Sequence, residues 1–426
     1  MGTGAAHELV IVGAGAAGLW AAARAAELGR RVLLLEKTPR TGTKVLASGG
    51  TRCNLTTTLG PDEAARLFGA RGERFLRPAF RALPPRAVRE RFHGLDVPTL
   101  EAPLEKVFPA SQRAKDVRDA LERWAVGAGV ELRRDTPVHG LERRGEVWRV
   151  ALADGAALEA PHLFLCPGGK SYARTGTTGD GYAWLAALGL PLVEPVPALV
   201  PLVSAAPWVH ALAGIALQDV TVRLRGPERE ELGTRARPVV FTHQGLSGPG
   251  AMDLSEPVAR EEERARRERR AARPHQLVLD LLPERAREAL RDELLALAGA
   301  EGAPQLAGAL ASRLALPRRL VERALAQAGL AAELRVNALA RAGRHGLVEA
   351  LKGLAVPVTG TRGFELAEVT AGGLALEALD PRTLRVRGLP GLWAFGELID
   401  VQGPIGGLNF QAAFATAELA ARSASA

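Results

Sequence analysis

The first fifty residues alternate between a short apolar run, a stretch of helical spacing and a second apolar run. Leu9 to Val12 is an uninterrupted apolar segment that ends in Gly13, which reads as a buried strand. From Ala16 to Leu28, the residues Leu19, Ala22, Ala23 and Ala26 recur at a spacing that packs one helix face onto a sheet, and Gly29 follows where a left-handed residue is favoured. Arg31 to Leu35 then predicts a strand buried on both faces, ending at Glu36. These three pieces form a βαβ unit.

Beyond residue 60 the spacing predicts helices over Asp62 to Phe68, Pro84 to Phe92 and Asp116 to Gly127. Strands are expected at Val130 to Arg133, Val147 to Leu152 and His162 to Leu165, with a hairpin through Ala153, Asp154 and Gly155. The proline-rich stretch Pro191 to Pro207 marks a domain boundary. Alternating segments between Leu217 and Phe241 predict an antiparallel β module, which Leu277 to Leu282 extends. Glu284 to Leu351 reads as helical with breaks at Pro304 and Pro317, Glu365 to Val369 as a strand, and Phe410 to Arg422 as a helix. No internal repeat and no low-complexity segment is evident.

Composition narrows the class. A chain of 426 residues that is 47% hydrophobic and 24% charged can bury a core, and its length suggests about three domains. Two cysteines exclude a disulfide framework, so Cys53 and Cys166 are expected to be free thiols. Charge or proline interrupts every long apolar stretch, so no membrane span or membrane partner is expected, and the absence of a signal-like N-terminal pattern predicts a cytoplasmic protein. The net charge of +8 invites a nucleic-acid partner. Only six of the cations are lysine, however, and up to half of the excess is assigned to Arg260 to Pro274, where acids and bases interleave as on a solvated helix. No nucleic-acid partner is expected on that basis.

The chemistry-bearing pattern is Gly13-Ala14-Gly15-Ala16-Ala17-Gly18, placed between strand and helix. Gly13 permits the turn, Gly15 lets a pyrophosphate approach the backbone, and Gly18 brings helix and strand together. The phosphates then meet unpaired amides at the positive helix end, around Ala16 and Ala17. Glu36 falls where ribose hydroxyls need a carboxylate, with Lys37 beside it. This fingerprint alone leaves FAD and NAD open. The polar loop that follows, with Lys44, Ser48, Gly49, Gly50, Arg52 and Asn54, is longer than a nicotinamide-only unit requires and suits the longer FAD. Near the other end, a short strand runs into Gly396 and Glu397. Gly406, Gly407, Leu408 and Asn409 then open a second helix, another anion site.

Together these pieces resemble the BaiN/RdsA-like, or aminoacetone oxidase-like, family of FAD-dependent oxidoreductases, one of the flavoprotein families with two dinucleotide-binding domains. The resemblance spans nearly the whole chain. It rests on VGAGAAG with Glu36, SGGTRCN, VFPASQRAKDV from Val107, CPGGKSYARTGTTGDGY from Cys166, FTHQGLSGP from Phe241, VTAGGLALEALDPRTL from Val369, and GLWAFGELIDVQGPIGGLNFQAAFATA from Gly391. The chain departs at Thr51, where a third glycine is common, at Gln244, where an aromatic is common, and at Gln402, where an acid is common.

The resemblance implies an α/β protein: a Rossmann-type FAD-binding domain (1–190 with 370–426), an inserted antiparallel β-barrel-like domain (191–282 with 352–369) and a small helical domain (283–351). It further implies that the Val138 backbone lies at the adenine, that Gly168 and Gly169 close over the cofactor, and that Thr370 to Gly373 and Asn409 lie near the flavin ring. The expected activity is hydride transfer through FAD to or from a small organic substrate, with NAD(P)H binding transiently.

The candidate catalytic groups are His243, as a proton donor to a carbonyl or enone, and Cys53, as a thiol beside the flavin; no CxxC pair exists to support a disulfide relay. Asp180 is expected to cap a helix, and Asp400 to hold either a ribityl hydroxyl or its loop. No histidines stand at metal-ligand spacing, so no metal is expected. A flavin-dependent RNA-modifying enzyme and a flavin-binding protein without turnover are the competing classes.

Overall fold

A computed structural model describes residues 7–298 and 303–425. The first six residues, part of the segment behind the cytoplasmic expectation, and residues 299–302 of the expected helical stretch lie outside this range. The chain divides into two compact units, one running to Pro197 and resuming at Ala367, the other spanning Ala198–Leu366.

The first unit is built on a five-stranded parallel sheet. In chain order its strands are β1 (Leu9–Val12), β2 (Val32–Leu35), β3 (Glu131–Arg133), β4 (His162–Leu165) and β5 (Leu392–Ala394), arranged β5-β4-β1-β2-β3. Every residue of β1 and β2 is buried, which is why both read as unbroken apolar runs. The first helix, Ala16–Glu27, covers one face and buries Leu19, Trp20 and its alanines. Trp20 packs on Trp124 and Phe414 with ring centroids 5.1 and 4.9 Å away, and its indole N–H donates to the buried carboxylate of Glu418 at 2.9 Å. The helix Leu408–Ser425 is thereby held against the first helix.

Three sequence readings are corrected. The helix Gly69–Ala82 lies where no element is expected; Pro78 and two glycines mask a regular face of Phe75, Leu76, Ala79 and Phe80. The hairpin after Gly155 leads to Ala157–Ala160, which with Val138–Arg144 and Val147–Leu152 forms a separate three-stranded antiparallel sheet, whereas His162–Leu165 enters the parallel sheet as β4. The strand expected at Glu365 to Val369 lies at Val369–Leu374. Its glycines Gly372 and Gly373 hide a strand whose six residues are all buried.

The second unit holds a five-stranded sheet and a four-stranded sheet. The four-stranded one is antiparallel, in the order Glu231–Ala236, Thr221–Arg225, His275–Asp280, Leu354–Val358. Four longer helices, Arg287–Ala298, Leu306–Leu314, Arg318–Gln327 and Arg341–Lys352, follow the expected helical stretch. Their Leu290, Leu310, Leu320 and Leu347 share one apolar core with Val222 and Leu277 of the sheet. Helices and strands of this unit are therefore packed on a common interior.

Candidate functional site

The site is built at the carboxyl edge of the parallel sheet, where crossovers place loops rather than paired strands. The Gly13 amide donates to Leu35 O at 2.9 Å, tying the turn after β1 to the end of β2. A Cβ on Gly18 would lie 1.8 Å from Gly13 O, so the helix approaches the turn only because residue 18 has no side chain. Gly15 has no neighbour within 4 Å of such a Cβ, leaving open space in front of the first turn of the helix. Ala16 and Ala17 form that turn, whose amides have no partner inside the helix.

Glu36, at the tip of β2, folds back on this turn. One carboxylate oxygen accepts the Ala14 amide at 3.0 Å; the other accepts the Thr38 amide at 2.9 Å and hydroxyl at 2.8 Å. The Thr136 amide donates to Glu36 O at 2.9 Å, so the segment leading to Val138 runs alongside the same strand end. Lys37 is engaged elsewhere: its ammonium meets the Thr178 hydroxyl and the Asp180 carboxylate. Asp180 is the first residue of its helix, and its side chain makes no capping bond, contrary to expectation. Burial raises the Asp180 pKa, but Lys37 and Thr178 outweigh it and hold the carboxyl below its usual range.

The polar loop after β2 is pinned by the Gly42 amide to Ala14 O at 2.8 Å. Its tip carries three consecutive left-handed residues, Gly49, Gly50 and Thr51, at φ 55, 65 and 68°. The departure at Thr51 thus puts a β-branched residue where glycine fits best. The Ser48 hydroxyl donates to Val45 O at 2.6 Å. Arg52 lies over the Phe108 ring at 4.7 Å and donates to Gly49 O.

Cys53 is fully buried, and burial pushes its thiol up to about 12, so it is neither accessible nor ionised. Its small side chain packs within the apolar core of the first unit. Cys166 is equally buried, and burial pushes its thiol up as well.

The distant segments meet these loops. A Cβ on Gly407 would lie 2.0 Å from Thr56 O and 2.9 Å from Asn54 Oδ1, which itself accepts the Val107 amide. The helix Leu408–Ser425 therefore begins directly on the Asn54–Thr56 backbone. Its first turn has no acidic side chain, and a Cβ on Gly406 would meet nothing within 4 Å. Asn409 bonds the Gly403 backbone twice, N–H and C=O both at 2.9 Å, so its amide closes the loop in front of the helix.

Glu397 is the hub of the polar interior. It accepts the Thr370 amide at 2.8 Å and the Ser171 hydroxyl at 3.0 Å, and pairs with the Lys44 ammonium, which also reaches Ser171 at 2.6 Å. The Thr370 hydroxyl oxygen accepts the amides of Lys170 and Ser171 at 2.7 and 3.2 Å. Gly169 has no room for a side chain, since a Cβ would meet Thr370 Oγ1 at 2.4 Å. Gly168 faces the Thr177 methyl group. Sequence reading did not single out Ser171, although it lies in the CPGGKSY segment. Asp400 is mostly buried and within 3.4 Å of Arg71.

His243 lies in the second unit. It is exposed in the two-residue turn between the strands Val239–Thr242 and Gly245–Ser247. Among the described residues no cluster of His, Cys, Asp or Glu could hold a metal ion, and no helix is long and apolar enough to cross a membrane.

The glycines of the first unit thus divide into two kinds. Gly13, Gly18 and Gly407 allow backbone segments to touch and Gly169 admits the Thr370 side chain, while Gly15, Gly50 and Gly406 face open space. With an uncapped first helix, a second helix opening on glycines and a carboxylate at the β2 tip, this donor set fits a long dinucleotide with an anionic centre.

Comparison with known proteins agrees with this fit. The family model described as the HI0933-like protein Rossmann domain matches residues 7–423. The chain is 30% identical to the ribosomal RNA dihydrouridine synthase of Escherichia coli (strain K12) over 96% of each chain. It is also 30% identical to the 3-dehydro-bile acid delta(4,6)-reductase of Clostridium scindens, over 98% of this chain and 99% of that one. Among solved structures, the 3-ketosteroid delta1-dehydrogenase from Sterolibacterium denitrificans shares the fold with a TM-score of 0.54 at 15% identity, covering 99% of both chains.

Proposed function

The chain belongs to the HI0933-like family of FAD-dependent oxidoreductases, and from that premise we propose that it reduces a carbon–carbon double bond conjugated to a carbonyl, with NADH or NADPH as the hydride source. The names of the two relatives at 30% identity converge on that bond type: a uridine becoming a dihydrouridine, and a 3-oxo steroid losing unsaturation at positions 4 and 6. Bound FAD supplies the two-electron hydride chemistry.

The observation that carries the reading is that distant glycine-led segments pack onto the opening βαβ unit and its loop, with Gly396 against Ala17 of the first helix and Gly407, at the start of the Leu408–Ser425 helix, against Asn54 and Thr56. We assign Gly15, Ala16, Ala17 and Gly18 to the pyrophosphate and Glu36 to the adenosine ribose. Lys44, Ser48, Gly49, Gly50, Arg52, Asn54, Val138, Gly168, Gly169, Gly396 and Glu397 are assigned to the remaining length of the cofactor. Gly406, Gly407 and Leu408, at the start of the second helix, hold negative charge by their amides. Asn409 acts as the strut of that loop, and Lys37 sets the position of Asp180. The test is anaerobic: NADH or NADPH bleaches the flavin band, and an added cyclic enone restores it with formation of the saturated ketone. Bleaching that only oxygen reverses would sink the substrate assignment.

A second reading, a uracil base within RNA as substrate, is favoured by the net charge of +8 and by the names of the relatives from Escherichia coli and Haemophilus influenzae.

A further inference from the structure

Part of the excess positive charge lies on Arg260–Arg273, as the sequence suggests, with seven arginines against four glutamates. Along Arg260–Arg273 the arginines face acids: Arg260 pairs with Glu256 at 2.8 Å, Arg266 and Arg267 with Glu263 at 2.6 and 2.9 Å, and Arg270 with Glu261 at 2.6 Å. The Arg270 side chain holds the Glu261 carboxyl down to about 2, so that carboxylate stays ionised against its arginine partners.

The helices from residue 303 to 352 are different. They hold eight basic residues against three acidic ones. Arg318 is matched by Glu322 at 2.8 Å, and Lys352 by Asp280 in the interior. Arg319, Arg323, Arg341 and Arg344 have no carboxylate within ion-pair distance among the described residues; Arg319 and Arg344 donate only to the carbonyls of Ala211 and Leu339. Arg319 and Arg323 are one helical turn apart, and Arg323 lies over the half-buried Trp208 ring at 4.2 Å, its Nε without an acceptor. The helix bearing Arg341 and Arg344 packs its first turns beside the segment that follows the helix Arg318–Gln327, where a Cβ on Gly343 would lie 3.1 Å from the Leu330 side chain. All four guanidiniums therefore belong to one pair of packed helices, and stacking on Trp208 leaves the outer donors of Arg323 available to an anion.

We infer that this helix pair is an RNA-docking surface, on which Arg319, Arg323, Arg341 and Arg344 contact backbone phosphates. A run of phosphates matches several unneutralised guanidiniums on one element, and such contacts position a strand without reading its sequence. The inference deepens the second substrate reading above. The two can fail separately, because flavin bleaching reports the reaction and RNA retention reports the surface.

The experiment is fluorescence anisotropy of a labelled single-stranded RNA of mixed sequence with the flavin-loaded protein, titrated across salt concentrations. Wild type binds, with affinity falling steeply as salt rises. The combined variant R319Q, R323Q, R341Q and R344Q binds at least tenfold more weakly at about 0.1 M salt, and its logarithmic salt slope is shallower by up to about 3, from roughly 0.7 per lost phosphate contact. A second variant, R260Q, R264Q, R266Q and R267Q, has the same net charge and loses little. Thermal melting and flavin bleaching by NADH or NADPH show that each variant is folded. Failure of the wild type to bind RNA, equal losses in the two variants, or tighter binding through the four arginines to phosphatidylglycerol vesicles than to RNA overturns the inference.

Discussion

Gly396 lies against Ala17: a Cβ on Gly396 would stop 3.0 Å from the Ala17 side chain, although 379 positions separate the two residues. The first turn of the opening helix and the loop that carries Glu397 are thus neighbours, and any side chain at residue 396 would force them apart. Gly396 also has φ 72°, which adds a backbone reason to the steric one. Gly396→Val is expected to lower both FAD content and melting temperature. An unchanged flavin-to-protein ratio would contradict this.

Gly18→Ala places a methyl group 1.8 Å from Gly13 O, a backbone atom that cannot rotate away. The expected cost is on the order of 1–3 kcal/mol or more, with loss of bound FAD. Differential scanning fluorimetry and the flavin absorbance ratio check it. Gly15→Ala meets no protein atom, so it should retain the fold while weakening FAD binding.

Glu36→Gln keeps shape and removes charge. The Ala14 and Thr38 donors that now meet the carboxylate would face a neutral amide, and the proposed ribose contact would weaken. A charged hydrogen bond is worth about 1.5–3 kcal/mol, so FAD affinity should fall by roughly ten- to a hundredfold in titration.

Cys53 provides a pH test. With its thiol near 12, about one molecule in 10⁵ carries a thiolate at pH 7, so iodoacetamide should label the native protein negligibly. Cys53→Ala should leave flavin reduction and reoxidation within about twofold; a larger loss would restore a chemical role. The folded-state value is raised above that of the unfolded thiol, near 8.5–9, so burial of the neutral form favours folding below pH 9, and that contribution is lost as pH rises towards 12. Stability of the wild type should therefore fall more steeply between pH 9 and 12 than that of Cys53→Ala.

Thr51→Gly removes the branched side chain from a left-handed residue. Strain of about 1–2 kcal/mol is relieved, partly offset by the greater freedom of glycine in the unfolded chain. A small rise in melting temperature is expected, with FAD affinity equal or better.

The sequence displays the local parts of this site and hides the assembled ones. The turn after β1, the helix behind it and Glu36 were legible because each depends on neighbours within about 25 residues, and burial of β1 and β2 leaves no polar positions to blur them. The helix Gly69–Ala82 was missed because Pro78 reads as a breaker, and the strand Val369–Leu374 was shifted because two glycines interrupt it. The Glu397–Ser171–Lys44 cluster joins segments up to 353 positions apart, and nothing in the spacing of a single chain encodes that. The same holds for charge: counting residues places up to half of the excess on Arg260–Arg273, whereas only side-chain geometry separates paired cations there from unpaired ones on the later helices.

The claim on which everything else rests is that two helix starts hold one FAD molecule, the first at its central pyrophosphate and the second at its flavin end. Calorimetric titration of flavin-stripped protein with FAD, and separately with ADP, tests it most directly. The account predicts one FAD per chain, bound orders of magnitude more tightly than ADP, with Glu36→Gln weakening both ligands. ADP binding as tightly as FAD, or no uptake of FAD at all, would contradict it.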